Sequence, residues 1–239
     1  PVPASTARPE RPYWSHLAGR EEFVQRGLTE LPGRGGAVEW LLPSPDEAAA
    51  FAREVALVHA VRGAAVQHVD LDAELSPIRD SAQFDRWCAQ IEQRAAAATL
   101  IMGGSAEPWT AEFAQALPSL LLERGAVLCS GPKAVLRASG TEVPGQARDA
   151  VRALLARAFS GAPHDVVDLL AETLHAEVRG SSDDAATRVD ALFSGGFVID
   201  TGDGPRLAES VDPRECLRSR PRTDQRALRA LDQGTRRML

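Results

Sequence analysis

Short apolar segments alternate with longer helical segments over the first half of this chain, and no other feature restricts its possible folds as much. The predicted strands are residues 38–42, 65–71, 99–102 and 126–129. Apolar residues spaced three and four apart predict helices between them, at 46–62, 81–98 and 109–124. Parallel strands need a crossover between them, usually a helix, and such sheets are covered on both faces. We therefore expect an α/β fold with a largely parallel sheet.

The pattern changes after Ser130, where helices are followed by a tight hairpin. Helices are expected at 146–159, 163–177 and 182–193, and hairpin strands at 197–199 and 206–208. This arrangement is typical of a winged-helix module whose wing is the hairpin. The sequence thus predicts four regions: a flexible leader at 1–14, an α/β domain at 15–140, a helical and winged-helix domain at 141–210, and a basic tail at 211–239.

The loop after the first predicted strand, Pro43-Ser44-Pro45-Asp46-Glu47, is poorly suited to holding phosphate. Phosphate-binding loops wrap the ligand in backbone N–H groups supplied by glycines and neutralise it with a lysine. Proline lacks the N–H, and two carboxylates would repel phosphate. After the third strand, Gly103-Gly104-Ser105 can form an anion-binding nest or a plain tight turn. The candidates for contacting a ligand at this edge are Ser44, Asp46, Gly103, Gly104 and Ser105.

Several stretches follow the order found in one family of nucleotide-binding proteins. They are Leu17–Phe23 with its Gly-Arg-Glu motif, Thr99–Met102, Glu123–Gly131, Ala150–Leu155, Val166–Glu172 and Asp190–Val198. Over residues 15–210 the chain resembles the ATPase region of STAND-type P-loop proteins, particularly the large ATP-binding LuxR-type transcriptional regulators. The resemblance implies a P-loop NTPase-like sheet, with a Walker B strand at 99–102. A helical lid and a small winged-helix module would follow it.

The chain departs from that family where ATP chemistry takes place. The Lys-Ser/Thr of the Walker A motif is missing, and Met102 is followed by Gly103-Gly104-Ser105 instead of acidic residues that hold Mg²⁺. We therefore expect a catalytically inactive, AAA-like pseudo-ATPase with no catalytic residue, no metal site and no cofactor. It would be a regulatory or scaffolding module in the bacterial cytoplasm that acts through contacts with protein partners or through self-association. Transcription regulation or signalling is the expected setting.

Other residues with chemical potential have competing structural interpretations. Asp70 and Asp72 follow a predicted strand and can bind a cation or a ribose, or act as turn formers. Trp40 and Trp109 can flank a crevice or pack in the core. The five histidines are too dispersed for a metal motif such as H-E-x-x-H. Three scattered cysteines fit a reducing compartment, and no apolar run approaches the roughly 18 residues that span a bilayer.

The end of the chain is strongly basic although the whole chain has a net charge of −6. Five of its arginines are candidate contacts for nucleic acid or a partner: Arg218, Arg220, Arg222, Arg226 and Arg229. A solvated helical face is the simpler interpretation. Because a basic segment can contact DNA phosphates, the first alternative function is a DNA-binding transcriptional regulator fragment that uses this tail. The second is an enzyme on a Rossmann-like sheet with a site that the sequence does not reveal.

Overall fold

The structure, a computed structural model, describes residues 13–29, 36–120, 125–136, 140–208, 211–212 and 217. The described chain divides into two compact units. One, the sheet unit, consists of Trp14–Val151 together with Arg179–Asp183. The other, the helical unit, contains Arg152–Val178 and the described residues from Asp184 onward. The predicted basic tail arginines at 218–229 lie outside the described residues.

The sheet unit is built on five parallel strands in the order β2-β3-β4-β1-β5. These strands are β1 Ala37–Leu41, β2 Val66–Asp70, β3 Thr99–Gly103, β4 Ala126–Ser130 and β5 Thr141–Glu142. In register, Trp40 of β1 lies beside Cys129 of β4 on one side and Thr141 of β5 on the other. The predicted parallel α/β sheet is thus confirmed.

Helices cover both faces of this sheet. They are α1 Glu21–Thr29, α2 Pro45–Val61, α3 Leu71–Leu75, α4 Ser81–Ala97 and α5 Thr110–Leu120. On one face, Phe51 and Val55 of α2 pack in a core with Trp40 and Ile101. On the other face, α4 and α5 pack on a second core. Its largest members include Phe84, Trp87, Ile91, Leu100, Met102, Phe113 and Leu128. Strand β4 is buried at every position, as expected for a strand covered on both faces.

Two short elements depart from the sequence prediction. The predicted strand 65–71 ends at Asp70, because the Asp70 carboxylate caps a five-residue helix, α3, by accepting the N–H of Ala73 at 3.0 Å. The segment between the predicted strand 126–129 and the predicted helix 146–159 contains β5, which extends the sheet beside β1. Neither element is long enough to show an apolar period, so the sequence pattern could not reveal them.

The helical unit contains the end of α6 Arg148–Ala158, then α7 His164–Val178 and α8 Ser182–Ser194. Strands β6 Val198–Asp200 and β7 Pro205–Leu207 form an antiparallel hairpin at the predicted place. Its turn needs glycine at Gly202 and Gly204, whose φ angles are +86° and +121°. The N–H of Gly161 donates to the Pro205 carbonyl at 3.1 Å, which fastens the hairpin to the α6–α7 turn. Over the described residues, no helix combines the length and the apolar character needed to cross a membrane.

Candidate functional site

The connection between β1 and α2 lies at the carboxyl edge of the sheet, where open α/β folds bind their ligands. Only three residues, 42–44, separate the end of β1 from Pro45, the first residue of α2. The Ser44 hydroxyl caps the helix by accepting the Glu47 N–H at 3.1 Å, and Pro45 supplies no N–H. The helix start therefore has neither a loop long enough to encircle a phosphate nor its full set of N–H donors.

The segment Gly103-Gly104-Ser105, for which an anion-binding nest and a tight turn were the alternatives, forms a packing site and a tight turn. A Cβ atom on Gly103 would lie 2.6 Å from the Ala48 carbonyl oxygen, so glycine allows α2 to approach β3 closely. Gly104 has a φ of +112° and donates its N–H to the Cys129 carbonyl at 3.3 Å. The N–H of Ser105 donates to Asp72 Oδ2 at 3.1 Å. These contacts favour the tight-turn interpretation, and a carboxylate of the chain already takes the Ser105 N–H.

Carboxylates gather at this same edge. Asp70 caps α3, and Asp72 accepts the Ser105 N–H. Burial raises the pKa of Asp72, and the negative charges of Asp70 and Asp46 raise it further against the Ser105 hydrogen bond. In the described part of the chain, no three His, Cys, Asp or Glu residues are grouped so that they could hold a metal ion. Asp70 therefore caps a helix and Asp72 holds the turn at Ser105, and the edge as a whole is unfavourable for phosphate.

Trp40 packs in one core of the sheet unit, and the partly buried Trp109 packs against the other. Trp40 is 1% exposed and makes edge-on ring contacts with Phe23 and Phe51, with centroids 5.4 and 6.1 Å away. Trp109 stacks on Phe84 with a centroid distance of 5.1 Å. Of the two interpretations of these residues, the structure supports core packing for Trp40, which cannot stack on a ligand while it is enclosed by other rings.

The sequence did not reveal a buried polar cluster centred on Glu47. Five hydrogen-bond donors surround its carboxylate. They belong to Arg20, Ser181 and Ser182, and we call these three residues the Glu47 cradle. Both Arg20 Nη atoms lie 3.0 Å from Oε1, which also accepts the Ser182 hydroxyl at 2.7 Å and the Ser182 N–H at 3.2 Å. The Ser181 hydroxyl donates to Oε2 at 2.9 Å. All of these residues belong to the sheet unit.

Arg20 is also held by backbone carbonyls. It donates to the carbonyl oxygens of Pro144 at 2.7 Å, His16 at 3.1 Å and Gly180 at 3.2 Å. The Arg20 and Glu47 side chains are both 0% exposed. Burial pushes the pKa of Glu47 up, but the Ser182 hydrogen bonds and the Arg20 charge outweigh it and leave this pKa below its ordinary value. Burial lowers the pKa of Arg20, although an arginine stays charged in proteins.

His16 and Glu47 both lie within hydrogen-bonding distance of the Ser182 hydroxyl, but this arrangement does not make Ser182 a nucleophile. His16 Nδ1 lies 2.9 Å from the Ser182 hydroxyl, which is completely buried. Burial lowers the pKa of His16 despite the nearby Glu54 and Glu47 charges, so its ring is neutral at pH 7. Ser182 gives its proton to Glu47, so Nδ1 must be the donor to Ser182. In a catalytic pair the histidine accepts the serine proton instead.

Two further buried glutamates each hold a loop. Glu54 of α2 accepts hydrogen bonds from the Ser15 hydroxyl and from the backbone N–H groups of His16 and Leu17. Glu39 of β1 accepts the Ser130 hydroxyl at 2.6 Å and the N–H groups of Val135 and Leu136. Internal carboxylates therefore fasten segment 14–20 and the loop after β4 to the sheet unit.

No protein-family model matches the chain, and a search of the curated proteins found no significant match.

Proposed function

We propose that this chain is a catalytically inactive, STAND-like relative of P-loop ATPases that acts as a regulatory or scaffolding module through protein–protein contacts. Transcription regulation or signalling in a bacterial cytoplasm is the proposed setting. In this proposal the helical unit is the lid and winged-helix module that follows the ATPase sheet in that family. The parallel sheet with helices on both faces and the hairpin after three helices support the assignment.

One observation carries the inactive part of the proposal: only residues 42–44 separate β1 from α2, and Pro45 begins the helix. A Walker A loop, G-x-x-x-x-G-K-[ST], uses eight residues to surround the phosphates and to present its lysine. A three-residue connection cannot do this. The carboxylates of Asp46, Asp70 and Asp72 would add repulsion of a triphosphate at the same edge.

Thermal unfolding with nucleotide tests the inactive site. At 1 mM ligand, a nucleotide bound with a Kd of 10 µM would stabilise the folded chain by about 2.7 kcal/mol. For a chain of this size, that stabilisation raises the unfolding midpoint by roughly 5–10 °C. We expect a shift below about 1 °C with Mg-ATP or Mg-ADP relative to Mg-triphosphate at equal ionic strength, the control for general anion effects. Titration calorimetry with the same nucleotides should show no binding. Micromolar binding by either method would refute the proposal.

The proposed scaffolding role is tested by measuring self-association and the binding of a protein partner. We expect light scattering coupled to gel filtration of the full chain to show self-association, or a complex with a protein partner recovered from the source organism. A chain that stays monomeric and recovers no partner would contradict this role.

The arginine-rich end of the sequence favours nucleic-acid binding as a second candidate function. Eight arginines lie between Arg214 and Leu239, against three acidic residues. Fluorescence anisotropy with duplex DNA at 50 and 200 mM salt tests this function, because each phosphate contact weakens binding as salt increases. A steep loss of affinity between the two salt concentrations would favour this candidate. A variant with alanine at the five candidate arginines is the matched control.

A further inference from the structure

We propose that the Glu47 cradle is an intramolecular oxyanion site whose resident ligand is the Glu47 carboxylate. When that carboxylate is removed, the site takes a small free carboxylate such as formate. This inference concerns the cradle alone and does not depend on the regulatory function proposed above.

The donors around Glu47 have the chemistry of a ligand site. A guanidinium, two hydroxyls and the first backbone N–H of α8 converge on one carboxylate. Guanidinium groups and free N–H groups at helix starts are the donors that proteins use for carboxylates and phosphates. Every donor except Arg20 comes from the segment Arg179–Asp183, which is distant in sequence from α2. The carboxylate therefore bridges chain segments as a bound anion would.

The cradle is held in place without Glu47. Arg20 makes three hydrogen bonds to carbonyl oxygens, at Pro144, His16 and Gly180, which orient its guanidinium independently of the carboxylate. Gln146 joins the same segments, since its amide donates to the Ser15 carbonyl at 2.8 Å and its N–H donates to the Gly180 carbonyl at 2.9 Å. Loss of the Glu47 side chain would thus leave a preorganised, positively charged cavity.

The size of that cavity determines the ligand class. Glu47→Ala removes two carbons and two oxygens, the heavy atoms of acetate. Because a free ligand keeps a nonbonded distance from the remaining Cβ, the smaller formate should fit better than acetate. In the wild-type protein the covalently attached carboxylate excludes such ligands, because it reaches the donors without losing translational freedom.

The test is chemical rescue of the full-length Glu47→Ala variant, followed by its thermal unfolding. Breaking a buried pair leaves Arg20 uncompensated, and we expect the midpoint to fall by about 10 °C. Sodium formate at 100 mM should restore several degrees relative to sodium chloride at equal ionic strength. Acetate should restore less, and the wild type should respond equally to formate and chloride. An equal response of the variant to formate and chloride would overturn the proposal.

The control variant is Glu112→Ala, an exposed glutamate of α5, which should neither lose stability nor respond to formate. If Glu47→Ala does not fold, a double-mutant cycle replaces it, with Glu47→Gln and Ser182→Ala alone and combined. Coupled effects on the midpoint are expected, because both residues belong to one hydrogen-bonded site. Additive effects would show that Ser182 is not a donor that Glu47 requires, and would refute the proposal.

Discussion

Glu39 offers a direct test of how a carboxylate can be buried by neutral donors. It lies in the sheet, 5% exposed, with the Ser130 hydroxyl and the Val135 N–H on Oε1 and the Leu136 N–H on Oε2. In Glu39→Gln, one carboxylate oxygen becomes an NH₂ group. If the amide nitrogen faces Leu136, two donors point at each other. If the amide is turned over, the conflict moves to Ser130 and Val135.

The expected loss follows from these contacts. One charge-assisted hydrogen bond disappears, at roughly 1.5–3 kcal/mol, and the remaining bonds become weaker neutral ones. Relief from burying a charge offsets part of this loss. We expect the free energy of unfolding to fall by about 2 kcal/mol, which lowers the midpoint by roughly 4–8 °C.

Urea unfolding of the full chain at pH 7, followed by circular dichroism, measures this loss. The exposed Glu112→Gln substitution is the matched control and should stay within about 0.5 kcal/mol of the wild type. Hydrogen exchange should also show earlier opening of the Val135 and Leu136 amides in Glu39→Gln. If Glu39→Gln is as stable as the control, the three neutral donors do not stabilise this carboxylate and the reasoning fails.

Three other changes follow from contacts described above. Ser44→Ala should lower the free energy of unfolding by about 1 kcal/mol in urea, because the Glu47 N–H loses its cap, and an unchanged midpoint would contradict the capping role. Gly103→Ala should cost roughly 1–3 kcal/mol by the same measurement, since its Cβ would press on the Ala48 carbonyl; a neutral effect would mean that α2 can move away freely. Because burial lowers the pKa of His16, its neutral form stabilises the fold fully above about pH 6.5, and this contribution is lost as pH falls below that value. The unfolding midpoint should therefore drop less between pH 7 and 5.5 in His16→Asn than in the wild type, and equal drops would refute the assignment.

The apolar pattern was sufficient to predict the sheet. Strands β1 to β4 lie within two residues of their predicted limits. The reason is clearest for β3 and β4, which are nearly continuous apolar runs bounded by glycine and polar residues. The order of the strands and the short β5 depend on contacts between distant segments, which a local pattern does not contain. The STAND resemblance, the domain limits and the function stay predictions.

The cradle shows what sequence patterns leave out. Asp46 and Glu47 look alike at a helix start, where acidic residues suit the helix dipole. The structure separates them, since Asp46 is exposed and Glu47 is completely buried. The difference comes from Ser182, which is 135 residues away in sequence from Glu47. Only the folded chain reveals that one carboxylate is a solvated charge and the other is an internal ligand.

The discontinuous composition of the sheet unit limits how this protein can be divided. A polypeptide ending at Val151 would contain all five strands but would lack Arg179–Asp183, and with it three of the five donors to Glu47. Such a fragment would keep a buried arginine–glutamate pair with most of its hydrogen bonds missing. Gene fusions, truncations and two-hybrid baits should therefore keep the chain intact through at least Asp183.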